Sequence, residues 1–269
     1  MRVRFNQRQT LRLLLDTGSS GISIAPKAAE KAGLQVLGGE GRDAKGIGDD
    51  KAGTAFEYLA AEVRIGDVAF ADYPVSVFRG AQSPNFDGLI GADVFRQFVI
   101  GVNFAGLELS LDARPSALSD PDEPTDAADT VPPGFFRVLR FGNHLALPTS
   151  DNGEAPVIFL VDSGTTENMI DTAVARKSSK IYKDDRTIVK GVQGKVTQIN
   201  RANDISLAFA GFRQNNPDLI AIDLTKVSDG MGVAFAGILG MPVLSQMKLT
   251  IDYREGVVRM EAQPQPLPR

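Results

Sequence analysis

The feature that most constrains this chain is that it repeats itself. Leu13-Leu14-Leu15-Asp16-Thr17-Gly18-Ser19-Ser20 in the first half is answered by Phe159-Leu160-Val161-Asp162-Ser163-Gly164-Thr165-Thr166 in the second. The two aspartates stand 146 residues apart in a chain of 269. In each copy an apolar run long enough for a buried strand delivers one carboxylate into a turn of hydroxyl and glycine residues. One such segment is an ordinary turn, because Asp, Thr and Gly favour turns anyway. Two of them predict a duplicated domain that brings Asp16 and Asp162 together.

Further landmarks recur in the same order. Lys45-Gly46-Ile47 is matched by Lys190-Gly191-Val192, and Gly66 by Gly211. Gly88-Leu89-Ile90-Gly91 is matched by Gly237-Ile238-Leu239-Gly240, and Val102-Asn103-Phe104 by Ile251-Asp252-Tyr253. The offset drifts by only a few residues across these pairs. Two long copies mean two homologous lobes, since a solenoid needs at least three shorter repeats. Residues 113–134, rich in proline and acidic residues, read as an extended linker. That places the first lobe at 1–112 and the second at 135–262, with 263–269 as a frayed proline-rich tail. Short strands dominate. Helices are expected at Pro26 to Gly33, Thr172 to Ser179, Ala92 to Phe98 and Met241 to Met247.

These residues resemble the pepsin-like and retropepsin-like aspartic proteases, above all the compact bacterial single-chain members. In that family each lobe carries an apolar strand, Asp-Thr/Ser-Gly-Ser/Thr, a glycine-bearing flap hairpin and an apolar-apolar-Gly strand. Asp16-Thr17-Gly18-Ser19 with Leu89-Ile90-Gly91 fills the pattern once; Asp162-Ser163-Gly164-Thr165 with Ile238-Leu239-Gly240 fills it again. The resemblance implies a mainly β, bilobal fold of two barrel-like lobes with a few short helices. It implies an aspartic endopeptidase with Asp16 and Asp162 as catalytic residues, no metal, no organic cofactor, and an extended peptide bound between the lobes.

The chemistry suits those residue types. Hydrolysis without a covalent intermediate needs an activated water and a proton donor for the leaving amine. Two adjacent carboxylates cannot both ionise cheaply, so the pair holds one proton. By resemblance, Thr17 and Ser163 hydrogen-bond across the lobes, and Ser19 and Thr165 donate to the outer aspartate oxygens. Gly18 and Gly164 let the backbone approach a carboxylate. Leu89-Ile90 and Ile238-Leu239 thread behind the aspartate turns. Gly46, Ile47, Gly48 and Gly191, Val192, Gly194 are candidate flap residues covering the cleft. A pepsin-type flap tyrosine has no counterpart at these positions, because Tyr58 lies beyond the first tip.

Composition closes off other classes. No basic block accompanies the net charge of −4, which argues against a nucleic-acid partner. No 18-residue apolar stretch provides a membrane span. Without cysteine there is neither a disulfide nor a thiolate site. A Ser/His/Asp triad would have to rest on His144, the single histidine, which reads as a surface or packing residue. Asp87 reads as a turn residue and Asp49-Asp50 as a solvated hairpin tip. Two other readings compete: a catalytically silent peptide-binding or inhibitor module on the same fold and, more remotely, an actin-like or sugar-kinase phosphotransferase. The last is suggested by Asp162-Ser163-Gly164-Thr165-Thr166 but lacks the long helices and adenosine-binding glycines it needs. Because one chain supplies both aspartates, a monomer is expected. No signal peptide precedes the first strand, so the chain reads as cytoplasmic or as a trimmed domain, with trimming favoured. Resemblance to bacterial relatives favours a periplasmic or exported protein.

Overall fold

In a computed structural model of the chain, residues 1–43, 46–50, 53–79, 85–113, 131–191 and 193–263 are described. Lys45, Val192, most of the expected linker (114–130) and nearly all of the tail (264–269) lie outside them.

The fold is mainly β and bilobal. In the first lobe, Arg2–Phe5 and Gln9–Leu15 form a hairpin whose alternate residues Val3, Phe5, Leu11 and Leu13 are buried. This is the period of a strand with one face on a core. The next neighbours in the sheet are Gly88–Ile90, Ile22–Ile24, Val68–Arg79 and Thr54–Ile65, in that order. Thr54–Ile65 also pairs with Arg2–Phe5, so the sheet curls back on itself. The second lobe repeats the plan. His144–Asp151, Val157–Val161, Gly237–Leu239, Met169–Asp171, Phe212–Ile222 and Asn200–Phe209 follow in order, and Asn200–Phe209 closes onto His144–Asp151.

The aspartate strands are positioned identically. Gln9–Leu15 runs parallel to Gly88–Ile90, with Leu15 opposite Ile90, while Ile22–Ile24 runs antiparallel on the far side. Val157–Val161 runs parallel to Gly237–Leu239, with Val161 opposite Leu239, and Met169–Asp171 lies antiparallel beyond it. Each apolar-apolar-Gly strand is therefore wedged between the strand entering an aspartate turn and the strand leaving it. Both of its edges are paired; Ile90 and Leu239 are buried in the core while Leu89 and Ile238 line the cleft between the lobes, which explains a continuous apolar run where alternation would otherwise be expected.

A third sheet belongs to both lobes. Its order is Glu108–Asp112, Val99–Asn103, Met247–Asp252, Val257–Ala262 and Phe136–Arg137. At its centre Val99–Asn103 pairs antiparallel with Met247–Asp252, Ile100 facing Ile251 and Val102 facing Leu249. Sequence landmarks that match as repeats thus become hydrogen-bonded neighbours.

The helices differ in part from expectation. Pro26–Ala32 ends at Gly33, whose φ of 65° supplies the left-handed cap, and Thr172–Ser178 is capped by the Asp171 carboxylate. The other two are single turns, Ala92–Phe95 and Met241–Leu244, shorter than the apolar spacing suggests. A helix at Thr225–Met231 was not foreseen. No described helix is long and apolar enough to cross a membrane.

Candidate active site

Both aspartate turns open into one cleft of about 780 Å³ between the lobes, lined by Asp16 and Asp162 together with Leu14, Phe78, Leu89 and Ile238. The backbone N–H of Asp16 donates to Ile90 O (2.9 Å) and that of Asp162 to Leu239 O (3.0 Å), so each aspartate is fixed by the strand behind it. Gly18 N–H donates to Asp16 Oδ1 at 2.9 Å, and Gly164 N–H to Asp162 Oδ1 at 2.8 Å.

Thr17 and Ser163 bind the turns to each other reciprocally. Thr17 Oγ1 donates to Val161 O (2.8 Å) and accepts from Ser163 N–H (3.0 Å). Ser163 Oγ donates to Leu15 O (2.8 Å) and accepts from Thr17 N–H (3.1 Å). Both residues are buried, so all four groups would otherwise be unpaired and costly.

The glycines bring each turn against the opposite carboxylate. A Cβ on Gly18 would lie 2.4 Å from Asp162 Cγ, and one on Gly164 would lie 2.6 Å from Asp16 Cγ. Gly91 and Gly240 do the same for the strands behind: a side chain there would strike Ser19 O at 2.6 Å and Glu167 O at 2.3 Å. The glycine motif is therefore a requirement of close backbone passage.

Asp16 is buried, and its carboxyl is pushed well above the ordinary carboxylate range. Burial is the largest cause, followed by the charge of Asp162 and a hydrogen bond with its carboxyl; the Gly18 amide opposes them. The hydroxyl partners are unequal. Thr165 Oγ1 donates to Asp162 Oδ2 at 2.8 Å, the oxygen that does not accept from Gly164 N–H. Ser19 departs from the expected symmetry, because its hydroxyl donates to the main-chain carbonyl of Asp16 at 3.1 Å. Its pull on the Asp16 carboxyl is weaker than that of the Gly18 amide.

The lobes anchor their turns with different polar groups. Asp93 accepts from Gly21 N–H through both carboxylate oxygens, at 3.0 and 3.1 Å. The corresponding place in the second lobe holds Pro242; there Asn168 Oδ1 accepts from Gly240 N–H at 2.8 Å. Neither Asp93 nor Asn168 was singled out from sequence, since each lies just beyond the repeated motif. Asp87 ties Arg12 into its turn, accepting from Arg12 N–H at 2.8 Å.

Among the flap candidates, Ile47 and Gly48 lie against Gly191, Gln193 and Gly194 of the other lobe, and Gly46, Ile47 and Gly191 line the cleft. Val192 is outside the described residues. His144 lines the cleft, and Asp49 and Asp50 are exposed, as expected of a tip, while also accepting hydrogen bonds from the opposite lobe. Among the described residues there is no group of three or more His, Asp or Glu side chains placed to hold a metal ion.

Comparison with known proteins agrees with this architecture. The aspartic proteinase from Irpex lacteus shares the fold, with a TM-score of 0.55 over 97% of this chain and 93% of that one, at 14% sequence identity. No curated protein matches the chain in sequence. The family profile described as Aspartyl protease matches residues 1–94 and 147–243, covering both aspartate turns. The chain belongs to the aspartyl protease family.

Proposed function

We propose that the protein is an aspartic endopeptidase in which Asp16 and Asp162 act together on one water molecule. The observation that carries this reading is the adjacency of the two carboxyls, one from each lobe, at the floor of an apolar cleft. Burial and the neighbouring charge favour a proton on Asp16, although the titration belongs to the pair. The ionised carboxylate takes a proton from water as the oxygen adds to the peptide carbonyl carbon. The protonated carboxyl gives its proton to the carbonyl oxygen. Collapse of the resulting gem-diol breaks the C–N bond as a proton passes to the departing nitrogen. Both carboxyls serve as acid and base in turn, so neither alone completes the cycle.

In this reading residues 1–112 and 135–262 are the two lobes and 113–134 joins them. Thr17, Gly18, Ser163 and Gly164 hold the carboxyls together, and Thr165 supports the charged form of the pair. The substrate is an extended peptide, bound by a single chain without metal or cofactor. The test is hydrolysis of an unstructured peptide library in acid, with and without a pepstatin-type inhibitor. Inhibitor-sensitive cleavage that disappears in Asp16→Asn supports the reading. A chain that binds the inhibitor and cleaves nothing is instead a peptide-binding module.

A further inference from the structure

The glycine segments of the two lobes are joined over the cleft. Gln193 N–H donates to Ile47 O (2.9 Å), Asp50 N–H to Gln193 O (2.8 Å) and Asp49 N–H to Lys195 O (2.9 Å). The fit is close, since a side chain on Gly48 would lie 2.2 Å from Gln193 O. Asp49 then adds a polar clasp. Its Oδ2 accepts from Thr197 N–H (2.8 Å) and from Thr197 Oγ1 (2.7 Å). Its Oδ1 accepts from Lys226 Nζ at 3.0 Å, and Lys226 also reaches Gly48 O at 3.4 Å. Lys226 belongs to the helix Thr225–Met231, whose Val227, Gly230 and Met231 line the cleft. The roof is thereby fastened to the wall of the cleft as well as to the opposite hairpin.

An exposed ion pair alone would hold little. Here one carboxylate gathers two hydrogen bonds and an ammonium, and bonds to a charged acceptor are the strong ones. We propose that Asp49 is the positioning residue of the roof, holding residues 46–50 down on 193–197, and that this clasp must open for a peptide chain to enter and leave. This inference rests on reading the cleft as a peptide site. It deepens that reading by requiring an unstructured substrate segment, since a covered cleft excludes the loops of a folded domain until the clasp opens. The Thr197 N–H and hydroxyl, then Lys226, hold Asp49 down at about 2. The clasp therefore stays charged to a lower pH than an ordinary carboxylate would allow.

The chain has no cysteine, so the clasp can be locked cleanly. The variant Asp49→Cys/Thr197→Cys is compared, oxidised and reduced, on a fluorogenic decapeptide at acid pH. The expected result is a disulfide that lowers kcat/KM by about a hundredfold and is reversed by reductant, because opening precedes binding. Asp49→Ala is expected to raise KM about tenfold with kcat within twofold, and Asp49→Asn, which keeps an acceptor for Thr197, to recover most of that loss. Equal rates for oxidised and reduced forms overturn the proposal. So does failure of the two thiols to pair, scored by titration independently of hydrolysis. If the wild type and the reduced pair are both inert, the aspartate reading fails, and the clasp is then judged on pairing alone.

Discussion

Gly18 of the first lobe lies directly against the carboxyl of Asp162 in the second, and Gly164 stands in the same relation to Asp16. Each lobe therefore supplies the floor beneath the other's carboxylate. Gly18→Ala or Gly164→Ala would drive a methyl group into that carboxyl. Overpacking of this kind costs about 1–3 kcal/mol. The expected outcome is a lower Tm by calorimetry together with hydrolysis near background.

Asp16→Asn and Asp162→Asn should each reduce turnover below a few per cent of wild type. The amide oxygen still accepts the Gly18 or Gly164 N–H, so circular dichroism should remain native. The double variant should be scarcely worse than either single one, as for groups that act as a unit. Single-variant activity well above a few per cent would rule out the shared-water mechanism.

Thr17→Val removes the acceptor of Ser163 N–H and the donor to Val161 O, both buried between the lobes. An unsatisfied buried group costs about 1–3 kcal/mol. For a chain of this size each kcal/mol lowers Tm by about 2–4 °C. Thermal unfolding should show the loss, and Thr17→Ser, which keeps the hydroxyl, should restore most of it.

Stability should depend on pH through Asp16. Its folded value is raised, so its contribution is fully present below the unfolded carboxylate value and is lost as pH rises through the folded one. Asp16→Asn removes the charge that burial penalises. Its Tm should exceed that of wild type by a few degrees at neutral pH and converge with it in acid. An Asn variant less stable at both pH values would place the cost elsewhere.

The activity profile should answer to Thr165 more than to Ser19. Thr165 donates to a carboxylate oxygen of Asp162, while the bond found for the Ser19 hydroxyl goes to the main-chain carbonyl of Asp16. Removing a donor destabilises the fully ionised pair, so Thr165→Ala should move the alkaline limb to higher pH. Ser19→Ala should move it less. Paired pH–rate profiles of the two variants decide the point.

Much of the fold was legible because duplication repeats long-range constraints as short local motifs. The strands, the two lobes and the glycines pressed against each aspartate turn all follow from one pattern read twice. What stayed hidden are contacts between the copies. Nothing in Val102-Asn103-Phe104 and Ile251-Asp252-Tyr253 says that these matching strands pair with each other. Likewise Gly46-Ile47 and Gly191 match as repeats, yet only the assembled chain places Ile47 O against Gly191. Asp49 is exposed as its sequence suggests, but its partners, Thr197 and Lys226, stayed hidden because they are far away in sequence. The helix Thr225–Met231 escaped because Ser228 and Gly230 weaken its local propensity, and its buried anchor is Val227 alone.

The central pairing of Val99–Asn103 with Met247–Asp252 also bears on how the protein is made. When the first half leaves the ribosome, Val99–Asn103 has Glu108–Asp112 on one side and nothing on the other. Its partner is roughly 150 residues behind, about 8–30 s at ordinary rates of synthesis. For that interval the nascent chain carries a bare strand edge, the template on which aggregation and swapping between molecules begin.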